Sequence, residues 1–149
     1  MKAGNLIRST ALLDGTIFEN VVILITELNE KGAMGFIVNR VFPRKLNELE
    51  EFKQGIPFPI YEGGPVDQEH LFFVHQRPDL VEGGTPINER FYFGGDFQAT
   101  VRYINMGVLE EDEVRVFIGY CGWDSGELEA EIAEGSWQLT SPGAGDVWK

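Results

Sequence analysis

The alternation of apolar and polar residues predicts a protein built mainly from β-strands. The most apolar segment, Val21–Leu28, has apolar side chains at odd and even positions, which point to opposite faces of a strand. A strand that is apolar on both faces is expected in the centre of a sheet, covered on both sides. Residues 29–32 then supply turn-forming side chains and Ala33–Val38 returns as a second strand, which predicts a β-hairpin.

Further apolar runs with strand character recur along the chain, separated by turns that contain glycine or proline. The other predicted strands are Leu6–Leu12, Leu71–His75, Phe91–Phe93, Val114–Tyr120 and Trp137–Leu139.

Three segments have apolar residues at helical spacing. The first is Lys45–Lys53, and the second follows Asp96, a suitable N-cap, and runs to about Met106. The third lies between Asp124 and Gly135. We expect Asp124 to cap this helix reciprocally with Glu127, and the helix to turn its glutamates, Glu131 among them, towards solvent.

Strands interrupted by helices, with at least one antiparallel hairpin, are typical of an α+β fold. We therefore predict a single compact domain over residues 1–149, with a mixed, largely antiparallel β-sheet and about three helices packed on it. The length is usual for one domain. The composition, 43% hydrophobic with 12% aromatic residues, is that of a chain that folds around a core.

Charge and targeting patterns limit the classes of partner. Twelve Lys and Arg against 24 Asp and Glu give a net charge of −12, and the basic residues are scattered. Nucleic-acid binding needs a positive face, so direct binding of DNA or RNA is disfavoured. The chain has no apolar run of the ~20 residues that span a bilayer and no signal-peptide pattern at its start. We expect a cytoplasmic protein without membrane contacts.

Three blocks of sequence, in matching order and spacing, resemble the YqgE/AlgH family of bacterial proteins. They are FENVVILITE followed by GAMGFIVNR within residues 18–40, YEGGPV and LFFVH within 61–75, and GYCGW followed by GELEAE within 119–131. The resemblance implies a compact α+β domain whose activity is not established. Some members of that family carry the label of transcriptional regulator. Two departures are Val41, where proline is usual, and Cys121, where alanine is usual.

Few residue types with catalytic or metal-binding chemistry are present. His70 and His75 are the only histidines, and five positions apart on a strand they face opposite sides, so they cannot chelate one ion together. Cys121 is the only cysteine, which excludes an internal disulfide. Its acidic neighbours Asp124 and Glu127 would raise the pKa of the thiol and disfavour a nucleophile. We predict no catalytic residues, no metal and no cofactor.

Two glycine-rich loops provide the candidate contact surface for a ligand or partner. The predicted surface consists of Glu62, Gly63, Gly64, Pro65, His75, Gly119, Gly122 and Trp123. Trp123 can anchor a partner, but it can equally pack the last helix onto the sheet together with Trp137, and packing is the favoured interpretation.

These features lead to three hypotheses on function. The leading one is a non-catalytic binding or regulatory module that acts through contacts with an unknown protein or small molecule. The first alternative is an enzyme in which His75, Glu62 and Cys121 meet in one cleft. The second is a transcriptional regulator, as the family label suggests, which would need a basic face to bind DNA directly.

Overall fold

The computed structural model describes residues 1–140, which contain ten β-strands and two α-helices. The strands are β1 Leu6–Ser9, β2 Val22–Asn29, β3 Gly32–Ile37, β4 Val41–Lys45, β5 Pro59–Glu62, β6 Val66–His75, β7 Thr85–Pro86, β8 Tyr92–Phe93, β9 Val114–Asp124 and β10 Trp137–Thr140. The helices are α1 Phe97–Asn105 and α2 Glu127–Ala133, and short 3-10 turns occupy Ala11–Leu13, Leu46–Glu48 and Glu50–Phe52.

The strands form a mixed, largely antiparallel sheet, which confirms the predicted α+β class. The strand order is β10-β1-β2-β3-β9-β6-β8-β7, and β4 joins through β5. Only the pairing of β5 with β9 is parallel among the described strands. The β2–β3 hairpin predicted from the sequence is present and antiparallel.

Strand β9 connects the two parts of the sheet. Its first half pairs with β5 and β6, whereas its last four residues pair with β3, with Cys121 opposite Gly35. Gly119 lies between the two halves with a φ of 74°, a left-handed conformation that glycine adopts without steric cost. The turn that precedes β6 therefore meets β9 at this point.

Three groups of buried side chains form the interior. An inner core lies between the two parts of the sheet and includes Leu24, Phe36 and Phe117. The outer face of the β1–β3 part is covered by α2 through Leu128, and the outer face of the β5–β9 part is covered by α1 through Ile104. Both faces of β2 are thus covered, as its apolar pattern predicted.

The predicted helix over Lys45–Lys53 is wrong, and residues 1–140 contain two α-helices instead of about three. Leu49 has an extended conformation, with φ −84° and ψ 136°, which separates two 3-10 turns. The amide of Leu46 donates to the carbonyl of Phe58 at 2.8 Å, so pairing with the neighbouring chain competes with a helix. The 3-10 turns still direct apolar side chains towards the α1-side core.

The helix caps match the sequence in one case and differ in the other. Asp96 caps α1 as predicted, since its carboxylate accepts from the amide of Ala99 at 3.0 Å. The N-cap of α2 is Gly126, not Asp124, and Glu127 alone supplies half of the predicted box by accepting from the Asp124 amide at 3.1 Å. Neither helix of the described residues is long and apolar enough to cross a membrane.

Candidate functional site

The turn at Gly63-Gly64 is in direct backbone contact with β9, and Gly119 and Gly122, which were predicted in a loop, lie within that strand. The amide of Gly63 donates to the carbonyl of Ile118 at 2.8 Å, and the carbonyl of Gly63 accepts from the amide of Ile37 at 2.9 Å. A Cβ atom on Gly64 would overlap the carbonyl group of Tyr120, and one on Gly119 would overlap the carbonyl oxygen of Gly64. Glycine is required here because the two backbones approach too closely for a side chain.

The predicted surface residues therefore divide into buried and exposed groups. Gly63, Gly64 and Gly119 are buried where the turn before β6 contacts β9. Pro65 and Gly122 are exposed, and Glu62 is half-buried. Two of the depressions on the described surface have residues near this contact in their walls.

The larger depression has a volume of about 430 Å³ and lies where the tip of the β2–β3 hairpin meets the end of β9. We call it the hairpin depression. Its lining includes Glu27, Lys31, Met34, Val66, Tyr120, Gly122, Trp123 and Asp124. Met34 and Tyr120 pack against the inner core with part of their surface and leave the rest at the depression. The lining thus combines apolar side chains with charged ones.

The smaller depression has a volume of about 140 Å³ and lies between residues 17–18 and the Gly64-Pro65 turn. We call it the Arg40 pocket. Its walls include Phe18, Ile37, Arg40, Glu62, Pro65 and Gln68. Glu62 and Pro65, both predicted from the sequence, belong to this pocket and not to the hairpin depression.

Trp123 packs against α2. Its side chain is 9% exposed, and its ring meets that of Trp137 edge to face at 6.1 Å. The indole N–H groups of both tryptophans donate to the same oxygen of Glu131, at 3.0 Å and 2.9 Å. Glu131 is therefore half-buried with two indole donors, which corrects the expectation that it faces solvent.

His75 has no exposed surface, so it does not lie on the predicted contact surface. Its Nε2 lies 3.1 Å from the carbonyl oxygen of Gly94 and its Nδ1 accepts from the amide of Arg77 at 3.1 Å. These bonds define a neutral imidazole that donates from Nε2. Burial lowers the pKa of His75, with the Gly94 carbonyl acting in the opposite sense. His70, by contrast, is exposed and bound to Asp67.

Cys121 lies in the interior, in the buried cluster that packs against α2. It is 2% exposed, and its thiol donates to the carbonyl of Gly63 at 3.4 Å. Burial raises the pKa of this thiol to about 12. A thiol with that pKa is protonated at neutral pH and has little nucleophilic character.

The structure does not bring His75, Glu62 and Cys121 together. His75 pairs with Val114 at one end of β9, and Cys121 lies seven positions further along that strand. At about 3.3 Å per residue the two are roughly 20 Å apart. Among residues 1–140, no group of three or more His, Cys, Asp or Glu side chains has the geometry of a metal site.

Arg40 and Arg115 are notable charged residues that sequence reasoning missed. Arg115 is 8% exposed; its Nη1 donates to the carbonyl of Val38 at 2.8 Å, and its guanidinium lies 4.0 Å from the centre of the Tyr61 ring. The burial of Arg115 could have been suspected from the sequence, because this charged residue lies between Val114 and Val116 in a predicted strand. Arg40 gave no such signal, because its role depends on a loop that reaches it from residues 17–19.

Comparison with known proteins places this architecture in a family. Residues 5–149 match the family described as AlgH-like. A UPF0301 protein of Chlorobium limicola is 39% identical over 137 residues, covering 92% of this chain and 73% of the relative. A UPF0301 protein of Chlorobaculum tepidum is 36% identical over 148 residues, covering 99% and 79%.

Two solved structures share the fold. The solution structure of the AlgH protein from Pseudomonas aeruginosa has a TM-score of 0.79 and 24% identity, covering 99% of this chain and 80% of that one. The crystal structure of a Corynebacterium diphtheriae protein has a TM-score of 0.76 and 23% identity, covering 99% and 84%. With the sequence match over residues 5–149, these findings show that the chain belongs to the AlgH-like family.

Proposed function

We propose that this chain is a non-catalytic binding module that holds a basic, partly apolar segment of a partner protein in the hairpin depression. The observation that carries the proposal is the depression itself, about 430 Å³ in volume, built where the hairpin and the end of β9 converge. A regulatory role of the kind that the family resemblance suggests would then act through a protein partner.

The apolar part of the lining supports a polypeptide partner. Val66 is 39% exposed, and Met34 and Tyr120 lie beside it with part of their surface covered by the inner core. Tyrosine and methionine are enriched in protein interfaces, and burying apolar area gives most of the favourable free energy of association. The strands beneath are hydrogen-bonded on both sides of β3, so the surface is pre-organised.

The charges favour a basic segment. Glu27 and Asp124 line the depression against the single cation Lys31, and the chain as a whole has a net charge of −12. Such a field attracts cationic partners and repels polyanions, so a nucleic acid is a poor candidate for this surface.

The test is a titration of the protein with two peptide probes, the amides of Arg-Leu-Arg-Leu and of Glu-Leu-Glu-Leu, followed by fluorescence anisotropy of a dye on the peptide. We expect the basic peptide to bind and the acidic one not to bind. Added salt should weaken binding, because exposed charges are screened.

Two valines provide matched variants, because Val66 and Val108 are each 39% exposed and only Val66 lines the depression. Val66→Lys is expected to weaken binding of the basic peptide at least tenfold, and Val108→Lys to leave it unchanged. Absence of binding to the wild-type protein, or equal binding by both variants, would overturn the proposal.

A further inference from the structure

The Arg40 pocket contains two opposite charges that do not neutralise each other. Arg40 and Glu62 both line this cavity of about 140 Å³, and they form no ion pair with each other. Their chain segments are nevertheless tied together, since the amide of Glu62 donates to the carbonyl of Arg40 at 2.8 Å. The pocket thus has a cation and an anion on its walls.

Arg40 is positioned by the backbone of the loop opposite. Its Nη1 donates to the carbonyl of Ile17 at 2.8 Å and its Nη2 to the carbonyl of Glu19 at 3.4 Å. A guanidinium has five N–H donors, so three remain after these two bonds. No carboxylate of the described residues pairs with Arg40. Its charge is therefore available to a ligand in the pocket.

Glu62 is half-buried, and its carboxylate forms no hydrogen bond or ion pair with residues 1–140. Half-buried carboxylates are generally satisfied by a cation, a donor or water. Gln68 lies beside it and donates from its side-chain amide to the carbonyl of Gly64 at 3.0 Å, which leaves the side-chain oxygen of Gln68 as an acceptor.

We propose that the Arg40 pocket binds a small zwitterion of the amino-acid class. The ligand carboxylate would accept charge-assisted hydrogen bonds from Arg40, and the ligand ammonium would donate to Glu62. A simple anion would meet repulsion from Glu62 and a simple cation repulsion from Arg40. Only a ligand with both charges compensates both residues.

The size and the remaining walls of the pocket fit this class. A cavity of about 140 Å³ holds several water-sized groups, since one water needs about 10–15 Å³ of probe-occupied volume, and this suits an amino acid with a short side chain. Ile17, Phe18 and Ile37 supply an apolar wall for that side chain. This site shares no lining residue with the hairpin depression, so the proposal does not rest on the proposed peptide binding.

The test is a titration followed by two-dimensional amide NMR, with glycine, L-alanine, L-serine, β-alanine and γ-aminobutyrate as probes. The ω-amino acids vary the separation of the two charges. We expect at least one probe to give saturable shifts at the amides of Phe18, Ile37, Gly64 and Gln68. Acetate and methylammonium, which each carry one of the two charges, should bind at least tenfold more weakly than the best zwitterion.

Two Glu→Gln substitutions, each of which removes one negative charge, separate the effect of the pocket from the effect of net charge. Glu62→Gln keeps the shape of the side chain and should weaken binding of the best zwitterion at least tenfold. Glu48→Gln changes an exposed carboxylate outside the pocket, alters the net charge equally, and should leave binding unchanged. Arg40→Gln should also weaken binding, with its amide spectrum checked for a native fold. If no zwitterion binds, if acetate matches the best zwitterion, or if Glu62→Gln binds as the wild type does, the proposal is overturned.

Discussion

At the scale of single residues, the contact between Gly64 and Gly119 allows the turn before β6 to pack against strand β9. A methyl group on Gly64 would overlap the Tyr120 carbonyl. We therefore expect Gly64→Ala to lower the free energy of unfolding by about 2 kcal/mol or more, since overpacking of this kind costs ~1–3 kcal/mol. Gly122→Ala is the control, because the nearest atom to its new Cβ lies at 3.4 Å. Urea denaturation compares the two, and equal stability of both variants would contradict the close contact.

His75 gives the stability of the protein a pH dependence of known sign. Because burial lowers its pKa in the folded state, the unfolded chain binds more protons below its ordinary pKa of about 6.5. The stabilising contribution is therefore present above that pH and is lost as the pH falls.

We expect His75→Gln to flatten the decline in unfolding free energy between about pH 7.5 and pH 5.5. His70→Gln should not flatten it, because the pKa of His70 is raised by Asp67 and its protonation favours the folded state. Urea denaturation at the two pH values measures both slopes. A slope unchanged by His75→Gln would show that this imidazole is not buried in its neutral form.

At the scale of elements, α2 is attached to the sheet by a carboxylate as well as by apolar packing. Glu131 accepts from both Trp123 and Trp137. Glu131→Ala leaves two indole donors without this acceptor and should destabilise the protein by about 2–4 kcal/mol, since an unsatisfied buried group costs ~1–3 kcal/mol. Glu131→Gln keeps an acceptor oxygen and should lower the free energy of unfolding by less than Glu131→Ala does.

The exposed Glu129 on the same helix is the matched control, and Glu129→Ala should change stability by less than about 0.5 kcal/mol. Thermal unfolding followed by tryptophan fluorescence measures these effects. If Glu131→Ala were as stable as Glu129→Ala, the shared acceptor would have no role in attaching α2.

Several elements could be predicted from the sequence because local pattern decides them. The double-sided apolar pattern of β2 and the turn after it specify a hairpin, and Asp96 marks the start of α1. Residues 45–53 show the limit of such reasoning, because apolar side chains three residues apart suit two 3-10 turns as well as one helix. Pairing with Phe58 decided between them.

The candidate site could be predicted only in part. The glycine pair at 63–64 and the glycines at 119 and 122 indicated two unusual loops, but their contact depends on the parallel pairing of β5 with β9, which no local pattern encodes. His75 lies away from the site because the antiparallel pairing of β6 with β9 places it at the far end of β6, opposite Val114. Arg40 was missed because its neighbours come from a distant loop.

At the scale of the whole molecule, the two depressions differ in size and charge, and we propose a different ligand for each. The hairpin depression is wide and partly apolar, whereas the Arg40 pocket is small and has one positive and one negative side chain on its walls. Near both depressions, the turn before β6 contacts strand β9 through Gly64 and Gly119. A net charge of −12 favours basic partners at long range for the wide surface.

Native mass spectrometry tests most directly whether the hairpin depression binds a basic segment of a partner protein. The protein is purified from the cell it comes from, as wild type and as the Val66→Lys and Val108→Lys variants. We expect the wild type and Val108→Lys to retain the same basic polypeptide at a defined stoichiometry, and Val66→Lys to retain none. Equal retention by Val66→Lys, an acidic partner, or no partner on any of the three proteins would contradict it.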